Sequence, residues 1–337
     1  MALISIAAVS TLRSALCGFA LCVSSCAAFA LDKITYAGNG GAGDAPLYIA
    51  KTLGLFEKEG LDVTISKLDS PPTMLAGVAS GSIQVAGIAI TPGFFSSVQR
   101  DIKIKLVGTK TTGFSALKFV VSNELAKDGP EKALSQLRGK KIAITSKASS
   151  NYYLLQELLK SRGLVFDDVT VLEMGFSNMP GALSTGAVDA AIMFEPFISQ
   201  TVARKLGMVA SGFDGLVPGG GVAWIVYSEK FGADRKNAVA FMKAYIEAIR
   251  IYNDAFFKQQ NFEKIAAIIS AGAEVPVEIL RSSINVVIDP EQIYDDSYLK
   301  GSQKFFVEQK YLERPADIGA LKDWSFVESA LGALGKY

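Results

Sequence analysis

Histidine is absent from the sequence, and its three cysteines, Cys17, Cys22 and Cys26, all lie near the N-terminus. A chain cut after residue 30 would therefore hold no disulfide. It would also lack the side chains most used in zinc sites, and the His or Cys of the usual hydrolytic triads. Lysine and paired-carboxylate chemistry stay open, yet the balance tilts away from an enzyme, and no cofactor or metal is expected. Charge of one sign is lacking too. The 34 basic residues face 33 acidic ones, so no electrostatic footprint for nucleic acid is expected. Beyond the N-terminus no unbroken apolar run reaches the ~18 residues of a membrane-spanning helix.

The first 30 residues carry a single charged side chain, Arg13. An apolar run, Ala15 to Val23, precedes the small-residue pattern Ala28-Phe29-Ala30. This reads as a secretory signal over residues 1–30, cleaved after Ala30. The competing reading is a buried N-terminal helix, but the first clear strand begins only at Ile34. Val23-Ser24-Ser25-Cys26 also resembles a lipoprotein processing box, which would leave Cys26 acylated at a membrane surface.

After residue 30, short apolar strands alternate with helices. Strands are predicted at Lys33–Ala37, Asp62–Lys67, Val85–Ile90, Ile102–Val107, Lys118–Ser122, Lys141–Thr145, Val169–Leu172, Ala190–Phe194 and Val222–Ser228. Pro46 opens a helix that Gly54 ends. Asp234 to Phe257 reads as one long amphipathic helix, and the helical tail beyond it should pack back on one half of the molecule. Solidly apolar strands between helices imply α/β layers with both sheet faces covered. A weak internal repeat supports two similar halves. Met74 to Gly81, then a strand and Pro92, is echoed by Met179 to Gly186, a strand and Pro196.

Three stretches together carry a resemblance. They are Gly43-Asp44-Ala45-Pro46-Leu47-Tyr48-Ile49-Ala50 with Gly54-Leu55-Phe56, Leu137-Arg138-Gly139-Lys140-Lys141-Ile142-Ala143-Ile144 with Ser149-Ser150, and Gly186-Ala187-Val188-Asp189-Ala190-Ala191 running to Phe194-Glu195-Pro196. In order and spacing the chain resembles periplasmic solute-binding proteins of ABC importers, of the nitrate/sulfonate/taurine and thiamine-pyrimidine-precursor type. The resemblance implies a type 2 periplasmic-binding-protein fold: two lobes, a two-segment hinge and a ligand cleft between them. Lobe 1 would be residues 31–120 plus 221–337 and lobe 2 residues 121–220. The hinge crossings would fall near Lys118–Ser122 and Gly219–Trp224, where Gly219-Gly220-Gly221 suits unusual backbone angles. Periplasmic location, a monomer, and an inner-membrane ABC permease as partner follow from the same resemblance.

The rule that open α/β sheets bind ligands beyond the carboxyl ends of their strands selects loops without reference to any family. It picks out Asp44, Ala45, Pro46, Ser70, Thr91 and Lys110 in the first half. In the second half it picks out Ser146, Ser149, Ser150, Asn151, Tyr152, Phe176, Asn178 and Glu195, and Trp224 joins them as an aromatic candidate. Helix starts at such loops suit anions, because their amides are free. Ser149 and Ser150 either meet ligand or cap their own helix. Glu195 either accepts from a ligand amine or lysine, or serves its own helix start. Lys110 and Lys147 can balance a ligand anion, and Tyr152 is the favoured stacking ring.

Three functions compete. The first is an importer's receptor for a small organic anion, a sulfonate or carboxylate, with an aromatic or pyrimidine ligand as the alternative. The second is a ligand sensor with a separate partner. The third is an enzyme on the same fold. A pyrimidine-forming relative consumes a histidine of its own chain, which this sequence cannot do.

Overall fold

The computed structural model describes residues 30–337 except 69, 101, 218, 219, 222, 284 and 294. The expected signal, Cys26 and Gly219 of the glycine run lie outside the described residues.

Among the described residues, ten strands form two separate five-stranded sheets. They are β1 (Asp32–Gly38), β2 (Leu61–Lys67), β3 (Val85–Ala89), β4 (Lys105–Thr109), β5 (Leu117–Val121), β6 (Lys141–Ile144), β7 (Thr170–Glu173), β8 (Ala190–Phe194), β9 (Met208–Ser211) and β10 (Ala223–Tyr227). The first sheet runs β2-β1-β3-β10-β4 and the second β7-β6-β8-β5-β9. In each, four strands run in one direction and one inserted strand, β10 or β5, runs antiparallel to its two neighbours. The two repeat copies thus hold equivalent places: β3 and β8 are both the middle strand, parallel on one side and antiparallel on the other. Residues 31–337 nevertheless pack as one compact unit.

Among the described residues the chain links the sheets through residues 110–116 and again between β9 and β10. The first lies N-terminal to the expected Lys118–Ser122, because Leu117–Val121 already pairs with β8 and β9 in the second sheet. The passages run side by side, with Gly113 N–H donating to the Gly220 carbonyl at 3.1 Å. A Cβ on Gly220 would stand 2.5 Å from Gly113 Cα, so only glycine allows this approach. A third segment joins them from the tail. Thr112 N–H donates to the Val287 carbonyl (2.7 Å), Asp289 N–H to Thr112 Oγ1 (2.9 Å) and Val287 N–H to Ser115 Oγ (3.1 Å).

The long helix is present as Arg235–Phe257, and Asp234 caps it by accepting from Asn237 N–H at 3.4 Å. Its apolar stripe, Phe241, Met242, Tyr245, Ile246 and Ile249, is buried with Val107 and Ile225 of the first sheet in one core cluster. The tail does not stay on one half. The helix Ser297–Glu308 inserts Phe305 and Phe306 into a cluster that holds residues of both sheets. Phe305 meets Tyr152 edge-on at 5.4 Å, and Phe306 lies 6.4 Å from Phe95. Gly301 admits Tyr153, whose hydroxyl occupies the space a Cβ would need.

Candidate functional site

The loop after β1 builds one side of the site. Asn39 to Gly41 turn into a short 3-10 helix, Ala42–Asp44, and then the helix Ala45–Thr52 with Pro46 in its first turn. Asp44 stands at that helix's N-cap position, yet its carboxylate turns away from the helix. It accepts from Gly40 N–H (2.9 Å) and the Tyr36 hydroxyl, and pairs with Lys110 Nζ at 2.8 Å. Lys110 also donates to Asn39 Oδ1 (3.2 Å) and lies 3.4 Å from the Gly87 carbonyl.

Glycines make room for this cluster. A Cβ on Gly38 would stand 2.6 Å from Asp44 Oδ1, one on Gly87 2.7 Å from Lys110 Cδ, and one on Gly43 3.2 Å from Lys110 Cε. Burial, reinforced by the Asp44 charge, pushes the Tyr36 hydroxyl well above its ordinary range. Lys110 was expected to balance a ligand anion. It is a buried partner of Asp44 in this structure, where a buried ammonium needs a counter-charge more than an exposed one does.

The other side comes from the second sheet. Glu195, buried at the end of β8, accepts from Ser199 N–H (3.1 Å) and Ser199 Oγ (2.9 Å) at the start of the helix Phe197–Ala203. These bonds tie Glu195 to the helix that follows it. Phe194, one residue earlier, reaches toward the first sheet. A Cβ on Gly41 would lie 3.1 Å from its Cε1, and the ring packs against the main apolar clusters of both sheets. Phe176 lies 6.4 Å from Phe194 and stacks at 6.2 Å on Phe197. All three rings are half-buried.

The remaining predicted residues divide by what they touch. Ser70 and Thr91 cap their own helices, each accepting at 3.3 Å, from Thr73 and Phe94 N–H. Ser149 does not cap: its hydroxyl donates to the Ser146 carbonyl at 2.6 Å, while Ser146 Oγ accepts from Ala148 N–H at 3.1 Å. Asn151 donates to Thr145 Oγ1 at 3.2 Å. Ser150 is buried at the first turn of the helix Ser150–Ser161, and Asn178 is exposed.

Tyr152 stacks on Phe166 at 4.1 Å, and Trp224 meets Trp324 edge-on at 6.2 Å, so both rings have packing partners. The structure brings together Asp44, Ala45 and Pro46 with Lys110, and Phe176 with Phe194. Ser70, exposed at its own helix start, takes no part in either group.

Sequence reasoning passed over Tyr36 and Phe194. The signal for Tyr36 was Gly87 inside an otherwise apolar strand, since such a glycine often marks a close approach.

A model of the NMT1-like family matches residues 37–270. The chain belongs to the NMT1-like family. This NMT1-like chain is 24% identical over 298 residues, 85% of either chain, to a Bacillus subtilis (strain 168) protein named for aliphatic sulfonate binding. Its fold matches the periplasmic aliphatic sulphonate binding protein SsuA from Escherichia coli with a TM-score of 0.70, at 20% identity over 87% of this chain and 92% of that one. It also matches the periplasmic nitrate-binding protein NrtA from Synechocystis PCC 6803 with a TM-score of 0.68, at 18% identity over 90% and 89%. The expected periplasmic-binding-protein fold is therefore present. The likenesses also include enzymes, among them a 4-amino-5-hydroxymethyl-2-methylpyrimidine phosphate synthase of Aspergillus parasiticus, 27% identical over 49% of this NMT1-like chain and 46% of that one. Among the described residues no helix is long and apolar enough to cross a membrane, and no group of His, Cys, Asp or Glu has the makings of a metal site.

Proposed function

We propose that this chain is the solute receptor of an ABC-type importer, exported to the periplasm. It captures a small organic anion, a sulfonate or carboxylate, between its two sheets and presents it to a membrane permease. The observation that carries the reading is the meeting of strand-end loops from two separate sheets, where Phe194 of β8 faces Gly41 beyond β1. Ligands of open α/β sheets bind at such ends. The lobes would be those read from the sequence, 31–120 plus 221–337 and 121–220, with the first boundary moved back into the 110–116 passage.

Closure would bend the paired passages at Gly113 and Gly220. The names of the sulfonate- and nitrate-binding relatives support an anion as cargo. The buried charges support it in a second way: Asp44 is already matched by Lys110, so the anion relies on amides and hydroxyls, which helix starts supply. The sequence's lack of histidine speaks against the histidine-consuming pyrimidine synthesis.

The test is a thermal-shift screen of sulfonates and carboxylates on the purified exported form, followed by small-angle scattering with any hit. Binding to the native state raises the melting temperature, and closure shrinks the radius of gyration. A hit that leaves the scattering unchanged defeats hinge closure. Turnover of the hit defeats the receptor reading. Intact mass of the exported form decides between cleavage after Ala30 and an acylated Cys26.

A further inference from the structure

Phe194 and Thr111 face one narrow crevice at the junction of the sheets, whose walls also include Gly113, Phe114, Ala116 and Leu117. In this state the crevice is too tight for a water molecule. Two features are costly to leave as they are. Thr111 is only 3% exposed, and among the described residues its hydroxyl has no hydrogen-bond partner. A buried hydroxyl without a partner costs about 1–3 kcal/mol. Beside it, the rings of Phe194, Phe176 and Phe197 form a half-buried aromatic group. Apolar surface left in water at a strand end where ligands bind is surface a ligand can cover.

These features lie next to each other in a definite order. Thr111 follows Lys110, and a Cβ on Gly43 would touch Thr111 Cγ2 at 3.1 Å, so this residue lies beside the Asp44–Lys110 pair. Phe194 is the wall facing Gly41, half-buried against the clusters of the two sheets. An occupant would need the sheets to part or the Phe194 ring to turn aside.

We infer that the cargo is an aryl-bearing anion, whose ring seats on Phe194 and Phe176 while an oxygen of its head group accepts from the Thr111 hydroxyl. The inference rests on the receptor reading above and narrows its substrate class. A one-carbon anion satisfies Thr111 but leaves the aromatic wall bare. An aryl anion meets both, and rings pack on rings in offset or edge-on geometries that add to simple burial. Phe194 is thereby a specificity residue and Thr111 a head-group contact.

Two matched pairs test this by isothermal calorimetry on the full exported chain: benzenesulfonate against methanesulfonate, and benzoate against acetate. The aryl member of at least one pair should bind at least about tenfold tighter, from the area its ring buries. Phe194→Ala should cut that ratio to about threefold or less, with the larger loss on the aryl member. Thr111→Val should weaken both members of the pair alike. Phe176→Ala gives a second reading of the wall if Phe194→Ala fails to fold, as judged by its melting curve. If the small anions bind as tightly as the aryl ones, or the ratio survives both wall variants, the aryl inference falls and the receptor reading stands. If none of the four anions binds, the anion-receptor reading falls and takes the inference with it.

Discussion

Asp44 and Lys110 form an ion pair of 2.8 Å with side chains only 1% and 3% exposed. Both were picked from the sequence as ligand groups, and in the fold they satisfy one another. Around them, Tyr36 and Gly40 complete the carboxylate's bonds, while Asn39 takes up part of the ammonium's. The pair fastens the loop after β1 to the end of β4, the two first-sheet segments that border the candidate site.

Breaking this pair on one side should be expensive. Asp44→Asn or Lys110→Met leaves a buried charge with no counter-charge, and either should cost about 3–5 kcal/mol. The double variant should cost less than the two singles together, because it strands neither partner. Urea unfolding of the four proteins measures this. Additive losses would mean that the two charges do not depend on each other.

Gly87 is tied to Tyr36 in the same way. A Cβ there runs into the Tyr36 hydroxyl and would stand 2.7 Å from Lys110 Cδ. Gly87→Ala should destabilise by about 1–3 kcal/mol through overpacking. Tyr36→Phe removes the hydroxyl that the new methyl strikes, so the double variant should recover part of the loss. Denaturant midpoints read the outcome, and no recovery would place the clash elsewhere.

A parallel case tests the tail. Gly301 in the helix Ser297–Glu308 lies against the Tyr153 hydroxyl of the second half of the molecule. Gly301→Ala should destabilise by about 1–3 kcal/mol despite the gain in helix propensity, and Tyr153→Phe should relieve it. On an unpacked helix face, Gly301→Ala would instead stabilise by about 1 kcal/mol. The sign of the shift in melting temperature therefore reports whether this helix holds the two halves together.

Alkali should unfold the protein through its buried tyrosines. Burial holds Tyr36, Tyr227 and Tyr245 well above the ordinary value of 10.0. A group whose folded pKa is raised contributes stability that is complete below its unfolded pKa and is lost as pH climbs toward the folded value. Unfolding free energy should therefore hold steady from neutral pH to about pH 10 and fall above it. Tyrosinate absorbance from these residues should appear only with unfolding. Their ionisation near pH 10 in a still-folded protein would contradict the prediction.

The elements were largely legible in the sequence, and the exceptions have local causes. β9, Met208–Ser211, was missed because it is a four-residue edge strand, exposed or half-buried throughout, without the apolar run that marked the others. β4 begins at Lys105 rather than Ile102, since the Ile102 amide is drawn back to the Ser97 carbonyl at 3.1 Å to close the preceding helix. The repeat between Met74–Pro92 and Met179–Pro196 was readable because equivalent strands in two similar sheets need the same alternation of apolar strand and helix stop.

The sequence by itself determined the alternation of strands and helices, the two similar halves, and the want of thiol and imidazole groups. These depend on local periodicity, turn residues and composition, all of which are written along the chain. Only the tertiary structure decided which charged and aromatic side chains are spent on the fold. Asp44 and Lys110 are 66 residues apart by their numbers, and Tyr152 meets Phe305 across a still longer stretch. Burial and partner are set by chain segments brought together from a distance, and no local pattern encodes that. Phe194 became visible for the same reason: its neighbour Gly41 belongs to the other sheet.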